Sequence, residues 1–410
     1  MVLNNSVLKL PGMCRLLSGY GLSVIADTSV YIVFAVWAKQ ITGSTSGIGL
    51  VFFCFIIPSL ISPLTGNVID SLKKDRMIVL TNLFMAVSIL LLHYSDKSNQ
   101  YLLLLFTAFI YGLGYVVFNA ARICLVVNNY EERFIGKINA VLRTLREALR
   151  LSSPILGIYI YTTFGSDIFV YFVSLALLLS CLLFYHFEKS DNSERNKTDT
   201  QVKLFSLNGL MKGVYGLWKD RLLRVCITCL SVTLLVAGFY EMILFSILDN
   251  IGKPTSLIGQ LISVQGLGAV IGGICSIKLI RRFTPAMLVS LGFIIQSIGI
   301  LGLFVQDISI TYISCAIFGF GAPVSMVGLD TIIQTTLPAD IQGRANTSLE
   351  AVTSIPFSLS FLLSSVLTTL ISYKLMLFFM VIVTLSASVY LLFNIRKHHL
   401  ACQHSRDNNP

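Results

Sequence analysis

Asp27 is the first residue of the chain whose type and place ask for a chemical explanation. It stands roughly a dozen residues into the stretch 16–38, which holds no other charged residue; at ~1.5 Å per residue this is close to the middle of a helix that spans a bilayer. An ionisable group at such a point costs about 3 kcal/mol on insertion scales. A carboxyl group there can take up and release a proton, bind a ligand, or serve as a structural acid hydrogen-bonded to a neighbouring helix. Tyr20, Ser23 and Tyr31 fall on the same helical face, and a polar stripe of this kind faces protein or water rather than lipid. Glu241 is the second such acid. It lies nearer the outer end of its own apolar run, where a solvated boundary acid is the alternative.

Basic and aromatic residues form two further patterns. Tyr111, Tyr115, Asn119 and Arg122 share one face of the stretch 101–123. A tyrosine offers an apolar body with a polar tip, which suits an amphipathic ligand as well as it suits packing. Arg122 is close to the inner end, where a long side chain can snorkel. Arg143, Arg146 and Arg150 recur at i, i+3 and i+7, with Glu147 within reach of two of them. Near a cytoplasmic entrance they either draw in an anionic cargo such as a carboxylate or catecholate, or anchor the helix at the membrane surface. Asp330 and Glu350 border the inner ends of two later runs, where they can pair with basic residues.

Other chemistry is not expected. The chain has no phosphate-cradling glycine loop, no Walker lysine and no nucleophile triad, so neither an enzyme nor an ATP-driven machine is indicated and no cofactor is called for. Cys226 and Cys229 form a C-x-x-C inside an apolar helix and read as small helix residues. His398, His399, Cys402 and His404 are metal-ligand types, but a short exposed tail does not preorganise them, and no metal site is expected.

The elements that position these residues follow from composition. Of 410 residues 55% are hydrophobic and only 12% charged, with a mean hydropathy of +0.80; a soluble domain carries roughly a quarter charged residues. In lipid, backbone groups must be satisfied within the spanning structure, which leaves helices or closed barrels. The apolar runs are about twenty residues long, a helix length rather than a barrel-strand length. They predict an all-α membrane protein with twelve transmembrane helices near 15–38, 47–69, 77–94, 101–123, 140–164, 168–187, 222–248, 256–279, 285–304, 308–330, 346–371 and 374–394. With the N-terminus inside, only Lys39, Lys97, Lys253 and Lys374 of the 30 Lys and Arg residues face outward, and the other 26 face the cytoplasm. By the positive-inside rule both termini are cytoplasmic. The net charge of +10 is therefore explained by topology and a lipid bilayer, without nucleic acid.

The polar stretch 188–203 divides the runs into two sets of six. The expected organisation is an N-terminal half (1–187), a linker with a basic amphipathic segment (188–221), a C-terminal half (222–395) and a tail (396–410). T-S-G-I-G at 45–49 resembles T-S-L-I-G at 255–259, and G-K-I-N at 136–139 resembles G-R-A-N at 343–346. The nearly equal displacements indicate a duplicated six-helix unit, the architecture of a rocking secondary transporter. Two such halves need no partner subunit, so a functional monomer is expected.

From end to end the chain resembles the major facilitator superfamily. The stretch G-N-V-I-D-S-L-K-K-D-R at 66–76 is similar to that superfamily's signature between helices 2 and 3, with Gly66, Asp70, Lys73, Lys74 and Arg76 matching, Ser71 in place of a basic residue and the second glycine absent. I-A-D (25–27) followed by Q-I-T-G-S (40–44), N-A-A-R (119–122), N-G-L-M-K-G (208–213) and L-P-A-D-I-Q-G-R-A-N (337–346, with Arg344) resemble the branch of macrolide efflux proteins and the enterobactin exporter. S-S-P-I-L-G (152–157) is similar to the antiporter motif, with Pro154 and Gly157 matching, and Ser153 and Ile158 standing where glycines are usual. The resemblance implies proton-coupled export of small amphipathic molecules, a siderophore or a lipophilic drug, across a bacterial inner membrane. It also implies a cavity lined by helices 1, 4, 7 and 10. Asp70 is then expected to face the N-terminus of helix 11, and Lys73, Lys74 and Arg76 to form gating charge pairs. An uptake transporter of the same fold and a lysophospholipid flippase are the alternatives.

Overall fold

The computed structural model describes residues 10–59, 73–94, 99–185, 187, 214–337 and 339–407, excepting the side chains at 132, 133, 136, 137, 140, 339–347, 350, 351 and 398–407. Among them there is no strand. The first helices are α1 (Met13–Thr42), α2 (Thr45–Ile56), α3 (Lys74–Leu90, prolonged by a 3-10 turn Leu91–Tyr94) and α4 (Gln100–Asn129). Glu132–Phe184 is hydrogen-bonded as one helix but is broken at Gly165, and its arms 132–164 and 166–184 are α5 and α6. Then come α7 (Arg221–Asn250), α8 (Ile258–Leu279), α9 (Pro285–Gly302), α10 (Ile308–Thr336), α11 (Ala339–Leu370) and α12 (Tyr373–Asp407).

The breaks between helices are written locally. Gly43 ends α1 at φ 65°, with its N–H on the Lys39 carbonyl at 2.8 Å, a left-handed stop that glycine adopts without strain. Ser44, Asp220, Thr284 and Asp307 each accept a first-turn N–H of the helix that follows, the ordinary capping role of these side chains. Gly165 sits at φ 89°, ψ 175°, a region open essentially to glycine alone. This is why the two runs expected at 140–164 and 168–187 meet without a loop.

Ten helices among the described residues are long and apolar enough to cross a membrane. One of them, Val141–Phe184, runs through the break at Gly165 and holds two of the expected runs, and Thr45–Ser59 is a shorter apolar helix. The count is consistent with twelve transmembrane helices in two sets of six. Large apolar side chains such as Phe84, Leu182 and Leu370 are about 70% exposed, which fits surfaces that meet hydrocarbon. The expected stretch 60–69, the linker 188–213, Gly66, Asp70 and the side chains of Arg344, Glu350, His398, His399, Cys402 and His404 lie outside the described residues; 214–219 is a short helix.

The chain divides into two compact units, Met1–Ser206 and Leu207–Pro410, whose internal packing repeats. In the first, α3 packs on α4 and α6, and α2 on α4; in the second, α9 packs on α10 and α12, and α8 on α10. Asn82 Nδ2 donates to Ser180 Oγ at 3.0 Å between α3 and α6, and Ser290 and Ser388 share a 2.6 Å hydroxyl contact between α9 and α12; both members of the pair are displaced by the same 208 positions. A Cβ on Gly112 would strike the Phe55 carbonyl, and one on Gly319 the Gln265 carbonyl, so α2–α4 and α8–α10 touch backbone to backbone. The duplication read from two short sequence matches is therefore repeated in side-chain contacts.

Asn82 also donates to Ser23 Oγ at 3.1 Å, and Ser180 Oγ donates to the Gly19 carbonyl at 2.8 Å. This network ties α1, α3 and α6 together. Asn82→Ala removes two interhelical hydrogen bonds and is expected to lower stability by about 1 kcal/mol, read as a lower thermal midpoint of the purified protein.

Candidate functional site

The polar stripe on α1 resolves into four separate environments. Ser23 is committed to the Asn82–Ser180 network. Tyr31 packs its ring on Phe52 and Phe55 of α2, with centroids 4.4 and 5.5 Å away. Tyr20, only 3% exposed, is stacked on Phe118 and lies under the Arg122 guanidinium, whose carbon is 5.0 Å from the ring centre. Asp27 is half-buried, and its Oδ1 is buried with no hydrogen-bond partner. Tyr111 of α4 is 2% exposed, lies within electrostatic reach of Asp27, and its hydroxyl is likewise unpartnered. Phe34 and Phe55 wall the Tyr111 ring at 6.2 and 6.3 Å. Each orphaned polar atom in this apolar surround is costly, since a buried unsatisfied group forfeits about 1–3 kcal/mol.

A second constellation lies along α1 from Asp27, two helical turns away at Tyr20, or ~10 Å. Phe118 and Arg122, one turn apart on α4, both contact the Tyr20 ring. Arg122 is half-buried, and its Nε is buried without an acceptor. Arg146 of α5 is within electrostatic reach of Arg122, Tyr20 and Tyr115. Its guanidinium meets Glu147 at 3.3 Å, both side chains being about 40% exposed. The floor of this region is a buried apolar cluster that includes Leu16, Val24, Ile78, Leu125, Leu142 and Phe184.

The remaining expected residues are placed as follows. Tyr115 is exposed, and Asn119 turns its amide back onto the Tyr115 carbonyl at 3.0 Å, so its nitrogen is occupied within its own helix. Arg143 and Arg150 are exposed, and Arg146 is half-buried. Gly157 packs against Ser29 of α1, and the Ser29 hydroxyl donates to the Ser153 carbonyl at 3.0 Å, one residue before Pro154. The antiporter-like segment is thus where α5 meets α1 closely. Lys73 and Arg76 are exposed at the start of α3, and Lys74 is half-buried there. Asp75, which sequence reasoning passed over, is buried at 5% exposure, with its Oδ1 on the Arg76 N–H at 2.7 Å. Its signal was its place in the first turn of a helix, where an acid is favoured by the helix dipole. In the second unit Glu241 and Asp330 are half-buried. Glu241 follows Tyr240, which stacks on Phe318 at 3.9 Å.

The aromatic and basic cluster of the first unit is not repeated at the matching sequence positions of the second. One repeat length on from Tyr111, Arg122 and Arg146 stand Phe318, Leu329 and Thr353, and the position matching Asp27 is Ala237. No group of three or more potential metal ligands occurs among the described residues.

Comparison with known proteins places this arrangement in a wider context. The sequence pattern of the Major Facilitator Superfamily matches residues 16–346 and 233–408. An uncharacterized MFS-type transporter of Bacillus subtilis (strain 168), YfiS, is 23% identical over 355 residues, 84% of each chain. Among solved structures, a bacterial homologue of the iron transporter ferroportin in the inward-facing state superimposes with a TM-score of 0.73 at 14% identity, covering 94% of this chain and 98% of its own. The nucleoside transporter NupG superimposes with a TM-score of 0.71 at 12% identity, covering 93% and 98%. At such identities the structural likeness speaks to the fold.

Proposed function

The chain belongs to the Major Facilitator Superfamily of membrane transporters, and on that premise we propose that it is a proton-coupled secondary transporter exporting small amphipathic molecules, of siderophore or lipophilic-drug type, across a bacterial inner membrane by alternating access. The observation that carries the reading is that Asp27 of α1 and Tyr111 of α4, within electrostatic reach of each other, each hold a buried oxygen without a hydrogen-bond partner. A desolvated carboxylate without a hydrogen-bond partner is costly as an anion, and binding a proton removes that cost. Such a group changes its preferred surroundings when it gains or loses a proton, which is what coupling to a conformational cycle requires. The tyrosines and phenylalanines around it offer apolar surface with polar tips, suited to an amphipathic cargo. Export is favoured over uptake by the resemblance of 25–27, 119–122 and 152–157 to exporter motifs.

Inverted membrane vesicles carrying the protein test this reading. An inside-acid gradient is imposed and followed with a pH-sensitive dye while a catecholate siderophore or a macrolide is added. One of the two compounds is expected to collapse the gradient, and vesicles lacking the protein to show no response. If neither compound moves protons while the labelled compound accumulates in whole cells, the protein is an importer.

A further inference from the structure

We propose that the Tyr20, Arg122 and Arg146 cluster is a binding site for the acidic group of the cargo, so that the transported molecules are aromatic or amphipathic anions bearing a carboxylate or an acidic phenol. The inference rests on the transport reading above and narrows its substrate class. Arg122 carries its guanidinium over the Tyr20 ring, the carbon 5.0 Å from the ring centre, and has a buried Nε with no acceptor. A guanidinium positioned over an aromatic ring keeps N–H donors with which to meet the two oxygens of a planar acid. Arg146 brings a second positive charge within electrostatic reach of Arg122 and the same tyrosines, and an anion bound at Arg122 would be attracted by both. Glu147 neutralises one of the two charges, leaving the group with one uncompensated positive charge, the complement of a monoanion. The Tyr20 and Phe118 rings and the apolar cluster beneath them give an aromatic body a surface to rest on.

The placement also distinguishes recognition from simple membrane anchoring. An anchoring arginine extends to water or lipid phosphate, whereas Arg122 is half-buried over an aromatic ring and turns a buried N–H inward. The corresponding position of the second unit is Leu329, so the repeat scaffold itself does not require a cation there. Expelling an anion while admitting a proton moves charge in one direction, and an inside-negative membrane potential drives both fluxes.

The test is equilibrium dialysis of the purified full-length protein with 2-naphthoate and with its neutral counterpart 2-naphthamide. Naphthoate is expected to bind wild type at least about tenfold more tightly than the amide. Arg122→Gln and Arg146→Gln are each expected to weaken naphthoate binding by about tenfold or more while leaving the amide unchanged. Arg281→Gln removes the same formal charge from an exposed position of the second unit and is expected to bind as wild type does. Size-exclusion profiles and thermal midpoints confirm that the variants are folded. Equal binding of acid and amide, retention of naphthoate by both glutamine variants, or no naphthoate binding by folded wild type overturns the proposal. Dialysis imposes no gradient, so it stands apart from the vesicle experiment: naphthoate binding without proton exchange would remove the coupling and keep the anion site, and the reverse would do the opposite.

Discussion

Asp27→Asn is expected to reduce cargo-driven proton flux in vesicles by on the order of tenfold or more while leaving a folded, monodisperse protein. Asparagine is nearly isosteric with aspartate and cannot exchange a proton. The Asp27 Oδ1 has no hydrogen-bond partner to lose, so the substitution removes a charge without breaking a contact of that atom. The thermal midpoint should hold or rise. Tyr111→Phe sharpens the test, because it deletes the other unpartnered buried oxygen, the Tyr111 hydroxyl, and is expected to raise stability by about 1 kcal/mol. Its transport, in contrast, should fall if the hydroxyl helps Asp27 exchange its proton. The outcome that would sink the coupling role is an Asp27→Asn protein whose dye response matches wild type at every cargo concentration. Glu241 of α7 would then become the acid to examine.

Two adjacent glycines of α8 should respond oppositely to the same change. A methyl group on Gly272 would strike the carbonyl oxygen of Phe320 on α10, whereas one on Gly273 would meet only the Pro323 Cβ at 4.0 Å. Gly272→Ala is therefore expected to cost about 1–3 kcal/mol through forced separation of two backbones, and a larger residue at this position to prevent accumulation of folded protein. Gly273→Ala should be neutral or slightly stabilising, since alanine is the better helix former by about 1 kcal/mol. Thermal midpoints from size-exclusion profiles of heated samples separate the two. Equal sensitivity at both positions would show that helix content rather than close approach governs α8.

The contrast between these residues shows what a single sequence reveals. Hydropathy located the spanning runs, because crossing a bilayer demands length and apolarity that no neighbour can supply. Asp27 was visible for the same reason: a charge in such a run stands out without knowledge of its surroundings. The continuity of α5 and α6 through Gly165 was not visible, because a glycine in an apolar region signals either a loop or a sharp break within a helix. The contact of Arg122 with Tyr20 was also hidden. Periodicity assigns a residue to a face of its own helix and leaves open which helix that face meets. Ser23 illustrates the point from the other side, since it shares the α1 stripe with Asp27 yet belongs to a structural network with Asn82 and Ser180. Asn82 and Ser180 themselves looked unremarkable in sequence; their place in the repeat emerged only when Ser290 and Ser388 were found in contact at the same displacement.

The backbone contact between α8 and α10 carries a mechanical consequence. Helices separated by side chains have a compliant layer that can shear by rotamer changes, and helices seated carbonyl against glycine have none. Gly268 and Gly272 on α8 and Gly319 on α10 make three such seats along one seam, so the pair behaves as a single stiff beam. Strain that a transport cycle loads onto the second unit cannot be absorbed along that seam. It is instead expected to be taken up where side chains separate the backbones, as between α9 and α12, whose contacts are the hydroxyl pairs Ser290–Ser388 and Ser297–Thr384.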